Sequence, residues 1–582
     1  MMRRVLTALL GTALAIQPLA HAQAQTPARR APTAPAATLP VSPGIFVSAA
    51  RPLAVEAGLQ VLRRGGSAAD AAVAVQVMLG LVEPQSSGVG GGGFLMYYDA
   101  ATKRVSAWSG RERAPKAATP DMLLQSDGTP IPRRQAMLSG RATGVPGVMS
   151  MLHAVHQRSG TLDWGSLFEF TAKTAEAGFT VTERLNRHIV GTFPQASAPD
   201  VVAFFAKPDG SKVTTGDTLK NPAYAAFLRR MARQGPDALL KGETAARIVA
   251  KVREGAYPGV MTLDDLASYQ PQKLTPLCRV HVQIICAPPP PASGVGLLHL
   301  LGLLDRTDIA RRGPADPQAW YLFAEASRIM YADRDRWVGD PDFTPVPVAG
   351  LLHPDYIAHR AKLIAERAGK EPPSGRPPGS QPVGADATRE PAGTSHFVIV
   401  DARGNAISMT TTIESYFGSG RMVDGFFLNN EMTDFSFRPI VEETSRPSAN
   451  AVAGGKRPRS SMTPVLILDR ENNLVGAVGS PGGNAIPAYV AKTLVGALYW
   501  NLPMQVAIDL PNLVARDANF NGEVHAMLPQ VAEGLRARGV EVRSGSGEDS
   551  GIHGFMIRNG RFDGGADRRR DGIAIFEPAP KR

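Results

Sequence analysis

A hydroxyl that follows a flexible glycine can attack the carbonyl behind it, and Gly393-Thr394-Ser395-His396-Phe397 supplies that pair at the start of a predicted strand. Attack by Thr394 on the Gly393 carbonyl would cut the chain and leave Thr394 as a new N-terminus. Such a residue carries nucleophile and base in one unit: the side-chain oxygen attacks, and the free α-amine accepts the proton. An α-amine titrates near pH ~7.7–8.0, so a usable fraction is unprotonated at neutral pH. A threonine at a strand start is by itself an ordinary β-branched strand former; its surroundings single this one out. Residues 369–384, just upstream, are rich in Pro, Gly and Ser and are expected to be mobile, so a new C-terminus could swing away. The sequence holds neither G-x-S-x-G nor a P-loop pattern.

Two predicted hairpins position this chemistry. Residues 395–401 and 406–413 read as strands flanking the turn Ala402-Arg403-Gly404-Asn405. Pairing Asp401 with Ala406 projects Thr394 opposite Thr412–Ile413 and brings the Thr412 hydroxyl beside the nucleophile. The second hairpin, 462–469 with 474–479, carries Ser460-Ser461 towards Ser480-Pro481-Gly482-Gly483 at its open end. A helix over 486–498 starts just after these glycines, and backbone N–H groups at such a turn make an oxyanion site. His396 reads as a strand histidine. Upstream, helices are expected over 52–64 and 67–81, the second opened by Ser67 as N-cap with Asp70 three residues on. The run Gly88-Val89-Gly90-Gly91-Gly92-Gly93 matches G-x-G-x-x-G. A helix precedes it and a strand, 94–98, follows, the reverse of a dinucleotide-binding loop. Close backbone packing is the better account of these glycines. Residues 142–270 read mainly as helix, and further helices follow over 296–304 and 317–333.

With 20% charged and 43% hydrophobic residues, the 582-residue chain has an enzyme-like globular composition. Its net charge of +11 is not gathered on a basic helix with interleaved aromatics, so no nucleic-acid partner is expected. Arg3 and Arg4, the apolar run 5–16 and Ala20-His21-Ala22 read as an export signal over residues 1–22, followed by a low-complexity linker over 23–40. The protein is therefore expected to be periplasmic or secreted. The run is too short for an ordinary transmembrane helix, and no later segment is long and apolar enough to span. The two cysteines are Cys278 and Cys286. One continuous strand would hold them too far apart to bond, whereas a hairpin turn near Val280–His281 would allow a bridge. No zinc site follows from two cysteines without a histidine cluster, and no H-E-x-x-H occurs.

From about Pro40 onwards the chain resembles the γ-glutamyltransferases (γ-glutamyltranspeptidases), a family of N-terminal-nucleophile hydrolases. The resemblance is carried by Gly65 to Ala72, Gly90 to Phe94, Arg111-Glu112-Arg113-Ala114-Pro115, Gly144 to Gly147 and Pro289 to Gly294. Its most specific parts are Gly393 to His396, Leu428 to Ser436, Arg457 to Met462 and Gly479 to Gly483. It implies an α/β fold, a four-layer αββα sandwich. It also implies a cut between Gly393 and Thr394 that turns residues 41–393 into a large subunit and 394–582 into a small one, the two forming a heterodimer. By position, Arg111 would grip the donor α-carboxylate, helped by Ser460 and Ser461, because a guanidinium meets a carboxylate through two parallel hydrogen bonds. Glu431 and Asp434 would hold the α-ammonium, Gly482 and Gly483 would bind the oxyanion, and Thr412 would assist Thr394. The chemistry needs no cofactor.

Two departures from the pattern matter. Glu414 stands where typical members carry Asn near the substrate amine, and a third acid there would strengthen ammonium binding or reject the usual substrate. Residues 438–452 hold no tyrosine and look shorter than the lid that typical members close over the site. The nearest rival is an acylase on the same fold, cleaving glutaryl or cephalosporin side chains that lack the α-ammonium; three acids argue against it. A non-catalytic binding protein on this fold is the rival from another class.

Overall fold

The computed structural model describes residues 44–441, 444–544 and 550–580. The expected export signal and linker lie outside these residues. Two antiparallel sheets form the centre. Their thirteen strands, numbered along the chain, are β1 (Gly44–Ala49), β2 (Gly92–Asp99), β3 (Arg104–Ser109), β4 (Gln272–Leu274), β5 (Leu277–Val280), β6 (Ile284–Ala287), β7 (Thr394–Val400), β8 (Ala406–Thr412), β9 (Val465–Leu468), β10 (Leu474–Gly479), β11 (His553–Arg558), β12 (Arg561–Ala566) and β13 (Ile573–Pro578). The first sheet runs β13-β1-β7-β8-β2-β3-β4 and the second β12-β11-β10-β9-β6-β5. Each of the two predicted hairpins thus lies inside a different central sheet.

Alternation along the strands builds the layers. On β7, Val398 and Val400 face the second sheet and join Phe46, Leu466, Ala477 and Phe555 in the core between the sheets. Phe397 and Ile399 face the other way, onto helices α1 (Pro52–Arg63) and α2 (Ala68–Val82). The far face of the second sheet carries α3 (Gly294–Leu304), α4 (Pro317–Trp337) and α5 (Ile486–Leu494), whose leucines, aromatics and valines form a separate core. The result is the expected αββα stack. Thr394 shares the parity of Val398 and Val400, so its side chain emerges at the end of the seam between the sheets.

Local chemistry follows the sequence closely. Ser67 and Asp70 form a reciprocal capping box at the start of α2, with Ser67 N–H to Asp70 Oδ2 at 2.7 Å and Asp70 N–H to Ser67 Oγ at 3.1 Å. The glycine run packs against β8: a Cβ on Gly91 would collide with the Thr412 carbonyl oxygen, so glycine is what lets the chain pass beside the site. The first hairpin sits one residue off the expected register. Val400, not Asp401, pairs with Ala406, which puts Thr412 directly across from Thr394. Asp401 instead ties the turn by accepting from the N–H groups of Arg403 and Asn405.

Cys278 and Cys286 are bonded. They face each other on the β5–β6 hairpin, which turns at residues 281–283 just past the expected position. Residues 369–384 are irregular as expected, but they are fastened to α4. Arg328 donates to the carbonyl of Lys370 at 2.8 Å, Gly375 N–H to Asp333 at 2.6 Å and Trp337 Nε1 to Gly375 O at 3.1 Å. Expected mobility therefore gives way to a pinned strap in the uncut chain. Among the described residues no helix is long and apolar enough to cross a membrane.

Candidate active site

The first hairpin brings Thr394, Thr412 and the Gly393 carbonyl, the expected nucleophile, helper and cleavage site, to one point. Thr394 is 4% exposed. Its hydroxyl donates to Thr412 Oγ1 at 3.3 Å, and the Thr412 hydroxyl donates in turn to the Gly393 carbonyl oxygen at 2.8 Å. The Glu414 N–H donates to the same Thr412 oxygen at 2.8 Å, fixing its rotamer. Thr412 therefore bridges the Thr394 hydroxyl and the Gly393 carbonyl. Gly393 is held at φ 159°, where a Cβ would collide with the Glu414 carbonyl. Below the nucleophile, Arg570 donates to the Thr394 carbonyl at 2.7 Å. His396 is buried beside Thr410 Oγ1 at 2.9 Å and has its pKa pushed well below the usual value by burial, in keeping with a structural strand histidine.

Around this point the chain gathers Arg111, Glu414, Glu431, Asp434, Ser460, Ser461 and Gly483 on one cavity of about 20 Å³, shared with Thr394 and Thr412. That is room for about one water. The cavity is small because residues 390 and 391 fill the rest. The carbonyls of Glu390 and Pro391 lie against Gly483, and Glu390 O accepts from Asn484 N–H at 3.1 Å. Gly482 stands one position back in the turn, off the cavity wall. In the uncut chain the partner of the scissile carbonyl is thus Thr412, while the Gly482–Gly483 turn faces the backbone just upstream.

Arg111 is buried and fully engaged. It donates to Glu431, to Asp434 Oδ2 at 2.9 Å, and to the carbonyls of Pro458 and Arg459 at 3.2 and 2.6 Å. Glu112, Glu431 and Asp434 crowd this guanidinium, and a fourth acid, Glu414, lies beside Asp434 with Arg133 at 3.7 Å. Burial, opposed by Arg111, raises Glu112 to about 7. Burial and the charge of Asp434 push Glu414 well above the usual carboxylate range; burial also raises Glu431 and, with the charge of Glu390, Asp434. Glu414 and Asp434 share a hydrogen bond, and the former also accepts from Ser415 Oγ at 2.5 Å and from Asn430. These shifts favour the protonated form of Glu414, with Asp434 as its acceptor, although Arg133 at 3.7 Å pulls the other way. Ser460 Oγ accepts from Met462 N–H at 3.2 Å, and Ser461 Oγ from Arg334 at 2.7 Å. Of residues 438–452, 442 and 443 lie outside the described set; the remainder folds back through bridges Gly384–Ser448 and Ser436–Ala451.

Several neighbours escaped the sequence reading. Glu112 and Arg459 lie inside the quoted motifs, adjacent to Arg111 and Ser460, so a search for charged residues flanking those positions would have found them. Glu390, four residues before Thr394, and Arg334, in the last turn of α4, carry no local signal. Only the fold brings them to Ser461.

Comparison with known proteins agrees with this geometry. The family profile described as Gamma-glutamyltranspeptidase matches residues 54–576. The chain is 35% identical to the glutathione hydrolase proenzyme of Bacillus subtilis (strain 168), across 91% of both chains. It is 37% identical to that of Bacillus subtilis subsp. natto, across 80% of both. A solved cephalosporin acylase from Bacillus halodurans superposes with a TM-score of 0.81 at 23% identity, covering 94% of this chain and 98% of that one, a likeness of fold. With its sequence matched from end to end of the described body, the chain belongs to the γ-glutamyltranspeptidase family.

Proposed function

We propose that the chain is the precursor of a γ-glutamyl transferase and hydrolase. It cuts itself before Thr394 and then uses Thr394 to move the glutamyl group of a γ-glutamyl amide, such as glutathione, to water or to an amino acid or peptide. The observation that carries the reading is the Thr394–Thr412–Gly393 relay: a hydroxyl, its activating neighbour and a polarised carbonyl in one hydrogen-bonded line. Relatives named as glutathione hydrolase proenzymes support both the precursor and the donor.

In the first reaction Thr394 Oγ attacks the Gly393 carbonyl carbon; its hydroxyl proton passes to Thr412 as Thr412 hands its own proton to the Gly393 oxygen, from which it goes on to the leaving amine. The peptide C–N bond breaks, the released amine takes a proton, and the chain is left joined through an ester. Water cleaves that ester, freeing the Gly393 carboxylate and the Thr394 amine. Residues 41–393 and 394–582 remain together as large and small subunits. In the second reaction the free α-amine takes the Thr394 proton as Oγ attacks the donor γ-carbonyl. Gly482 and Gly483 N–H groups stabilise the oxyanion. The amine product leaves, and water or an acceptor amine resolves the glutamyl ester. The donor α-ammonium rests on Glu431 and Asp434, beside Glu414, and the α-carboxylate on Arg111, Ser460 and Ser461. Arg3, Arg4 and the apolar run after them support export of the precursor.

Mass spectrometry of the purified protein tests the cut: fragments ending at Gly393 and starting at Thr394 are expected, and a chain that stays whole overturns it. Activity on γ-glutamyl-p-nitroanilide, with little on the glutaryl analogue, separates this enzyme from an acylase.

A further inference from the structure

The carboxylate of Glu390 is 4% exposed and lies on a site built for an anion. One oxygen accepts from Arg334 at 2.5 Å with Arg459 at 3.5 Å, and the other accepts from the Ser461 N–H at 2.6 Å. Glu390 also lines the cavity shared by Thr394, Arg111 and Asp434. An acid belonging to the segment that self-cleavage would free therefore sits on Ser461, one of the residues proposed to hold the donor carboxylate, in the cavity it shares with Arg111 and Ser460.

Resting on the self-cleavage reading above, we infer that Glu390 is an internal stand-in for the donor α-carboxylate. It positions the scissile bond in the precursor and, on leaving, opens the Arg334–Arg459–Ser461 anion site to substrate. Three links connect it to the cut. The side chain is clamped by Arg334 and Ser461, its carbonyl by Asn484, and the chain then has only Pro391 and Ala392 before Gly393, whose oxygen meets Thr412. Proline removes one backbone freedom from this short span. Releasing that clamp blurs the approach of Thr394 to the carbonyl, and such misplacement is costly in rate. Departure of Glu390 leaves the cluster with one negative charge fewer, so the vacated site attracts a carboxylate. It also removes the charge that raises Asp434, leaving that acid readier to ionise opposite an ammonium.

The test has two arms on full-length protein. In the first, wild type, T394A and E390Q are purified early and the cut is timed by intact mass. Wild type is expected to cut and T394A to stay whole, and E390Q is expected to cut at least tenfold more slowly. E390Q cutting at the wild-type rate overturns the inference, whereas an uncut wild type overturns the self-cleavage reading instead. The second arm does not depend on the variant folding. Fully cut wild type is assayed on γ-glutamyl-p-nitroanilide with the pentapeptide Arg-Glu-Pro-Ala-Gly, the sequence of residues 389–393. Competitive inhibition is expected, raising KM with kcat unchanged, and the peptide with Gln in place of Glu is expected to be at least tenfold weaker. Equal inhibition by both peptides, or none by either, overturns the inference.

Discussion

Two buried groups of arginines and carboxylates meet at the cavity beside Thr394, and the protons sit differently in each. In one, Arg334, Arg459 and Arg516 face Glu390, Asp335 and Asp386, cation for acid. Burial opposes ionisation there, but Arg334 and Arg459 outweigh it and hold Glu390 down at about 2. In the other, Glu112, Glu414, Glu431 and Asp434 share one fully buried cation, Arg111, with the half-buried Arg133 3.7 Å from Glu414, and every one of these acids is raised. Residue types and burial are alike, so the ratio of charges decides the outcome. A balanced group that loses its movable acid becomes a receptor for an anion. An acid-rich group that has not ionised fully becomes a receptor for a cation. An amino-acid head group carries one charge of each sign, and the two groups are adjacent.

The contrast breaks most severely if Arg334 is removed. In the uncut T394A chain, R334A leaves Glu390 and Asp335 buried with a counter-charge missing. A loss of roughly 3–5 kcal/mol is expected in a urea melt, the usual cost of stranding a buried ion. A loss under about 1 kcal/mol would mean that the balanced group is not held by charge.

The acid-rich group should respond in the opposite sense. D434N takes one acid from a crowd of four around one fully buried cation, so stability is expected to hold or rise. Binding pays for it: one charge-assisted contact to the ammonium is worth roughly 1.5–3 kcal/mol, so KM for γ-glutamyl-p-nitroanilide rises roughly tenfold to a hundredfold. A matching rise for a glutaryl donor would show that Asp434 does not act on the ammonium.

Stability against pH sharpens the comparison further. Glu112 is raised from 4.5 to about 7, so the folded chain binds the extra proton between those values and stability falls as pH rises through that window. Glu390 is lowered from 4.5 to about 2, so its contribution is present above pH 4.5 and is lost as pH falls through the window below. The uncut chain should therefore be most stable near pH 4.5–5, with changes on the order of 1–3 kcal/mol on either side. Replacing Glu112 by Gln should make the upper slope shallower, the other raised acids keeping the rest, and leave the lower one unchanged.

How far the site was legible in the sequence depends on which kind of contact made it. The Thr394–Thr412 pair was legible because a hairpin with a short turn fixes its own register; even a one-residue slip kept Thr412 in reach. The capping box at Ser67 follows from local spacing, whereas the sandwich layers were expected only through the family resemblance. The bond between Cys278 and Cys286 was left open because it depends on where a short turn falls. Residues 369–384 read as a loose linker from composition alone, and composition does not register the buried Arg328 and Asp333 that pin them. The Glu390–Arg334 pair spans 56 positions, from the last turn of α4 to the segment just before Thr394. No periodicity reports a contact of that kind, so half of the head-group receptor was invisible until the chain was folded.

Glu414 gives the smallest expected effect and a direct test of protonation. From sequence it counted as a third negative charge for the ammonium. In the fold burial and the charge of Asp434 raise it well above the usual carboxylate range, against the pull of Arg133, and this favours a neutral acid that donates to Asp434. Glutamine can copy that arrangement: the amide oxygen accepts from Ser415 and Asn430, and the amide nitrogen donates to Asp434. E414Q is therefore expected to change stability by less than about 0.5 kcal/mol and KM by less than about threefold at pH 7, both within the range of a near-isosteric swap. A tenfold rise in KM would show Glu414 ionised in the complex, making three charges rather than two the measure of the acid-rich group. Raising the pH separates the cases again: if the proton is real, wild type and E414Q should diverge only as Glu414 begins to lose it.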